Sequence, residues 1–261
     1  MPFFNCRSFR RLGLIAMAAA WAGAACGQAA PSNDAVPDTP PPGDAGAVKP
    51  SVAFGFGAAS DDVFRGFSRT ADRAQGFASV DAAFGDVYAG AWGSNVAFRP
   101  PEGAARSGAE VDIYGGWRPD VLGYSLDLGL QYDAFAGQPD RADLDYVELY
   151  VKAARSIGPI TGSLALRYSP AFTARSGQAA TAEAGADYAI SRDWTASLSA
   201  GRQWVQRQSD FGAVDHLFWS AAIARSFGEH LSLAVRYVDS DRHRYGQAYG
   251  SKLVGELRTS F

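Results

Sequence analysis

The chain has 261 residues, 47% hydrophobic, 20% charged and 13% aromatic, with 29 glycines, two cysteines and a formal net charge of −3. The first thirty residues hold three arginines (Arg7, Arg10, Arg11) and no acid, so the −3 total less their +3 leaves the remainder at −6. That mildly acidic remainder gives no basis for a nucleic-acid partner. Both thiols, Cys6 and Cys26, also lie in those thirty residues, which excludes cysteine-ligated zinc, iron–sulfur clusters and a cysteine nucleophile from the rest.

Residues 1–30 read as an export signal of the Sec type. The three arginines form a basic start. Leu12 to Ala25 is then an unbroken stretch of apolar and small residues, about 14 long and too short to span a bilayer. Cleavage after Ala25, Gly27 or Ala29 fits equally. Arg10-Arg11 is a twin-arginine pair in a poor flanking context. Gly23-Ala24-Ala25-Cys26 resembles a lipoprotein box, with Gly23 where Leu is usual; the plainer alternative discards Cys26 with the peptide. Residues 31–50 follow as a Pro-rich periplasmic linker. Pro37, Pro40, Pro41 and Pro42 deny a helix its hydrogen bonds, and little apolar surface is present to offset ordering.

Residues 51–261 predict an all-β domain. No segment keeps a helical period, whereas period-two alternation recurs. In Tyr124 to Asp133, Tyr124, Leu126, Leu128, Leu130 and Tyr132 oppose Ser125, Asp127, Gly129, Gln131 and Asp133. Val147, Leu149 and Val151 oppose Glu148, Tyr150 and Lys152. Farther on, Leu164, Leu166 and Tyr168 oppose Ser163, Arg167 and Ser169. About twelve strands emerge, near 51–60, 75–84, 86–95, 108–118, 123–133, 144–155, 158–169, 180–190, 193–204, 215–226, 229–239 and 250–261, each of the length a tilted membrane strand needs. The gaps between them alternate long and short. Asp61–Ala74, Val96–Ser107, Ala134–Asp143, Pro170–Ala179, Val205–Val214 and Ser240–Tyr249 are long. Tight periplasmic turns with longer outer loops are the pattern of an up-and-down antiparallel transmembrane barrel.

The last strand ends in Phe261, with Leu253, Leu257 and Phe261 on one face and Glu256 and Arg258 on the other. A terminal aromatic on such a strand is the mark that barrel-assembly machinery reads. Aromatics gather near strand ends: Trp92, Trp117, Tyr124, Tyr132, Tyr168, Tyr188, Trp194, Trp204, Trp219 and Tyr237. Interfacial girdles produce that pattern. The expected surroundings are outer-membrane lipid and lipopolysaccharide.

The run ASDDVFRGFSRTADRAQGFASVDAAFGDVYAGAWGSNVAF at residues 59–98 resembles the TorF family of porins. In that family a first strand leads into a Ser-Asp-Tyr-x-x-Arg-Gly-type motif, then a Gly-rich hairpin and a Tyr-x-Gly-x-Trp-x-Ser-Asn segment. The matching residues are Ser60, Asp61, Phe64, Arg65, Gly66 and Ser68, then Gly85, Tyr88, Gly90, Trp92, Ser94 and Asn95; Asp62 and Val63 stand where an aromatic is common. Looser echoes follow at Glu110–Gly116, Tyr146–Tyr150, Tyr168-Ser169-Pro170 and Tyr237–Asp241. The resemblance implies an outer-membrane channel and names no solute.

Within the motif, Gly66 can take positive φ and turn the chain. Arg65 either locks the first loop by pairing with Asp61 or Asp62, or projects into the pore mouth. Alternation puts Tyr88, Gly90, Trp92 and Ser94 on one face, taken as inward, where glycine makes room for the rings. The expected inward charges are Asp81, Glu110, Asp112, Asp127, Glu148, Lys152, Arg167, Glu183, Asp187, Arg236, Glu256 and Arg258. Acids prevail among them, which predicts a narrow pore with slight cation preference. The alternatives are a plugged structural barrel whose charges pair across the lumen and an adhesive barrel. A lipid-modifying enzyme needs a Ser–His pair oriented by a third group. Of His216, His230 and His243, only His243 has near neighbours suited to it, Ser240 and Asp241, and loop residues of these types are commonly just solvated. Asp239 and Asp241 could hold Ca²⁺, against the plainer reading of an acidic loop. No cofactor is expected, and metal-ligand spacing such as His-x-x-x-His is absent.

Overall fold

The computed structural model describes residues 50–98, 106–137, 142–208 and 213–261. The expected signal peptide and nearly all of the linker lie in residues 1–49, outside the described residues. The strands are β1 (Ser51–Ala59), β2 (Val63–Phe64), β3 (Phe67–Ser68), β4 (Gln75–Phe84), β5 (Val87–Phe98), β6 (Arg106–Trp117), β7 (Asp120–Val121), β8 (Tyr124–Ala136), β9 (Tyr146–Ile157), β10 (Ile160–Phe172), β11 (Gly177–Ala189), β12 (Trp194–Val205), β13 (His216–Phe227), β14 (Leu231–Ser240) and β15 (Lys252–Ser260).

Twelve of them form a closed antiparallel barrel. The two-residue strands β2 and β3 pair only with each other, and β7 extends one turn beside β8. Each wall strand pairs with its sequence neighbours. β1 closes the ring against β15, from Gly55↔Ser260 to Ala59↔Glu256. Closure leaves no unpaired edge, which a spanning sheet in lipid requires. Tight turns join strands at one end, with Gly85 and Gly158 (φ +61° each) supplying left-handed geometry that side chains resist.

Alternation along each strand sorts the two faces. Outward, Leu128, Val151 and Leu166 stand side by side in register across β8, β9 and β10, all exposed. Val52, Phe54, Val80, Ile113, Leu198, Ile223 and Leu257 continue the apolar surface around the ring. In water such a surface would be a severe liability; facing acyl chains it is the stable arrangement. Outward aromatics rim it: Tyr132, Tyr168, Trp204, Trp219 and Tyr237 toward the loop end, and Trp117, Tyr124, Tyr188, Trp194 and Phe261 toward the turn end.

Two expectations need correction. Trp92 does not belong to a girdle: it faces inward and stacks on Phe77 at 6.2 Å between centroids. Its alternation with Tyr88 outweighed its position near a strand end. The gap expected at Pro170–Ala179 shrinks to residues 173–176. β10 runs on to Phe172 through a register shift between Ser169 and Phe172. Pro170 falls in that irregularity, where its missing N–H breaks no ladder bond.

Candidate functional site

The connection from β1 to β4 turns into the barrel. Ser60 first fastens the wall: its N–H donates to the Gly255 carbonyl (2.9 Å), and its Oγ accepts from the Gly255 N–H (3.0 Å). Residues 61–71 are then buried. β2 and β3 form a miniature hairpin whose two turn residues, Arg65 and Gly66, have φ of 46° and 77°. Positive φ at both central positions is what a type I′ turn demands. Gly66 is needed twice over, since a Cβ there would lie 3.0 Å from Ser240 Cβ and 3.1 Å from Phe218 Cβ.

Side chains brace the hairpin at its base. Asp61 accepts from Ser68 Oγ (2.7 Å) and Thr70 Oγ1 (2.6 Å), and the Arg69 N–H donates to the Asp62 carbonyl (2.7 Å). Two aromatics wedge it into the mouth. Phe67 packs with Val96, Phe98, Leu144, Val214 and Tyr249, and Phe64 with Tyr146, Phe172, Ala179 and Ala213. The mouth thus has a hydrophobic core of its own.

Charge ties the hairpin to opposite walls. The Arg65 guanidinium grips Glu148 of β9 in a fork (2.6 and 2.9 Å), donates to Gln203 of β12 (3.3 Å) and lies over the Phe64 ring. The Arg65 carbonyl lies 2.6 Å from His216 Nε2, which must donate there. Arg69 pairs with Asp62 (3.2 Å) and with Glu110 of β6. Arg65 therefore does project into the mouth, and it also locks the loop. Its partner is Glu148 across the lumen rather than Asp61 or Asp62, because the I′ turn aims it away from the hairpin base.

Burial pushes the Asp62 carboxyl up to about 6, against the pull of Arg69, and raises Asp61 in the same way. An undocked Asp62 would return to an ordinary value near 4, so the docked hairpin binds the proton more tightly. Docking should gain as pH falls from about 6 toward about 4, and the gain is absent at pH 7. Residues 61–71 are expected to be better protected from protease at pH 5 than at pH 7.5, and Asp62→Asn should weaken that response.

The turn-end half of the lumen is asymmetric. On one wall Tyr88, Tyr114 and Tyr150 form a buried cluster. Tyr88 donates to Asp127 (2.6 Å) and meets the Tyr150 hydroxyl; Tyr114 donates to Asp81 (2.5 Å); Arg118 pairs with Asp127 (3.2 Å) and covers the Tyr88 ring. Each tyrosine lies over a glycine directly opposite in the ladder: Tyr88 over Gly116, Tyr114 over Gly90 and Tyr150 over Gly129. The facing wall carries small half-buried residues, Ser163, Gly185, Ser199, Ser220, Ala222 and Ala234.

The inward charges expected from the sequence fall on the inner face in two groups. Glu110, Asp112 and Glu148 lie against the hairpin and are sealed from solvent. The others lie below and beside it, and most of them, Asp81 and Arg236 among them, are buried too. Asp81 and Asp127 belong to the tyrosine cluster, and Lys152 sits over the Tyr150 ring at 4.8 Å. Arg167 faces Glu183 (4.0 Å), Arg258 pairs with Glu256 (3.3 Å), and Asp187 and Arg236 are buried on the same face. Of the motif residues, Ser94 points inward, while Asn95 points out and staples the loop, accepting from the Gly76 N–H (2.7 Å) and donating to the Ala74 carbonyl (3.1 Å). The sequence did not point to Arg69, Asp133 or Gln203 at the site; it offered Asp62 only as a partner of Arg65, and His216 only as a candidate catalytic histidine. Asp133 carried a signal, since alternation already placed it on the face of Asp127.

The Ser240–His243 pairing does not form. Ser240 Oγ donates to the Tyr249 carbonyl (2.8 Å), and His243 Nε2 faces Asp239 (2.6 Å). Asp239 also accepts from Tyr237 (2.9 Å) and from the Ser240 N–H (2.8 Å), which commits both its oxygens within the loop.

A family model described as a bacterial protein of unknown function (Gcw_chp) matches residues 44–258. No curated protein matches the chain in sequence. Among solved structures the chain is similar to the KdgM porin (8% identity, TM-score 0.52, 80% of this chain and 98% of that one). It is similar also to KdgM in complex with disordered oligogalacturonate (8%, 0.50, 80% and 96%) and to the NanC porin (10%, 0.52, 81% and 99%). At these identities the likeness is one of fold: the closed barrel is of the porin type.

Proposed function

The chain belongs to the Gcw_chp family of bacterial proteins of unknown function, and from its geometry we propose that it is an outer-membrane channel for small solutes or ions, narrowed at its outer mouth by the inward hairpin. One observation carries this reading: a closed barrel with an apolar outer face and a charged inner face has its first loop folded into the lumen. A soluble barrel has no use for the outer face. The fold shared with KdgM and NanC and the resemblance of residues 59–98 to TorF-family porins point the same way.

The excess of inward acid favours cations over anions. Oligogalacturonate, named with KdgM, is a polyanion; the acid-rich lumen here argues against a solute of that charge. Passage would follow the wall of small residues on β10 to β14, opposite the tyrosines. Protein refolded in detergent and placed in a planar bilayer under a salt gradient is expected to show small discrete conductance steps with a cation-leaning reversal potential. Folded protein that stays silent at every voltage, with the hairpin both intact and released, would mark the barrel as plugged.

A further inference from the structure

Under the hairpin, three carboxylates meet from two neighbouring strands. Asp112 of β6 and Asp133 of β8 are direct ladder partners, and Glu110 follows two residues along the same face of β6. Carboxylate oxygens of the three lie within 4.8 Å of one another. The residues are 0%, 4% and 1% exposed for Glu110, Asp112 and Asp133. Among the described residues, few groups answer their charge. Arg69 contacts one oxygen of Glu110, and Gln131 Nε2 donates to Asp112 Oδ2 (3.2 Å) and Asp133 Oδ1 (3.0 Å). One oxygen on each residue, Glu110 Oε2, Asp112 Oδ1 and Asp133 Oδ2, is buried with no hydrogen-bond partner among the described residues.

Buried charges persist where they are paired or coordinate a metal. We propose that Glu110, Asp112 and Asp133 form a binding site for one divalent cation of the Ca²⁺ class. Arg69 is shared with Asp62, so among the described residues the three carboxylates keep at least two uncompensated negative charges, enough to hold one divalent ion. The spacing fits as well: an ion about 2.3–2.6 Å from each oxygen keeps its ligands no more than roughly 5 Å apart. An all-oxygen donor set selects a hard cation. Mg²⁺ usually keeps several waters and takes one or two carboxylates, so three converging ones favour Ca²⁺. The site differs from the Asp239–Asp241 loop, where Asp239 is already satisfied. It shares Glu110 with Arg69, so the ion and the hairpin lean on one carboxylate.

The test uses the full chain folded in detergent free of lipopolysaccharide, stripped with EDTA and dialysed against CaCl₂ at about 1 mM, the upper range for extracellular calcium modules. About one Ca²⁺ per chain is expected. Asp112→Asn and Asp133→Asn should each weaken binding about tenfold or more, since site charge sets affinity, and Asp120→Asn on the exposed turn should not. Heat-modifiable gel migration identifies folded variants, and Glu110→Gln stands in for any that misfold. No bound ion in the wild type, or equal binding in the carboxamide variants, would overturn the site, as would loss of binding only on Asp239→Asn. Conductance plays no part in this readout, so the site stands or falls apart from the channel reading.

Discussion

Arg65→Ala is expected to release the hairpin and raise single-channel conductance several-fold. The substitution strands Glu148 in a site with 5% exposure, and Gln203 loses a partner too. Breaking a buried ion pair from one side costs about 3–5 kcal/mol, because the remaining charge keeps its desolvation without its counterion. At about 1.4 kcal/mol per tenfold, the docked-to-undocked ratio falls at least a hundredfold. The wedge of Phe64 and Phe67 opposes release, so the outcome measures which interaction dominates. Adding Glu148→Gln removes the stranded charge and should restore much of the docking. Conductance that stays at the wild-type level in Arg65→Ala would mean that apolar packing alone seats the hairpin.

Val151→Arg is expected to destabilise the folded barrel by about 2–4 kcal/mol in vesicles, the cost of a basic residue near the bilayer midplane. Val151 lies midway along β9, 48% exposed, between Leu128 and Leu166 in register. Lys152, the next residue, already carries charge on the inner face. Lys152→Ala should therefore cost much less, though the two sites are one residue apart. Urea unfolding of vesicle-folded protein gives both numbers. Similar values at the two positions would contradict a lipid-facing Val151.

The ladder of alternating residues determined the barrel. Leu128, Leu130 and Tyr132 against Asp127, Gln131 and Asp133 specify a strand and its two faces without any tertiary information, because a period of two has only one sheet geometry. Repeating that pattern with tight turns determined the strand number and the lipid face in the same way. The motif Ser60, Asp61, Arg65 and Gly66 also stood out, and Gly66 announced its turn.

What only the tertiary structure decided is where the first loop goes and whom its charges meet. Arg65 and Glu148 are 83 residues apart, and Arg69 and Glu110 are 41 apart. No local period links such pairs; ring closure and the inward fold bring them together. Glu110, Asp112 and Asp133 converge for the same reason, since ligands from two strands take their spacing from ladder register rather than from sequence intervals. A strand's period shows which residues face inward, but only the closed barrel, with a hairpin filling its mouth, settles which of them meet one another and how deeply each is buried.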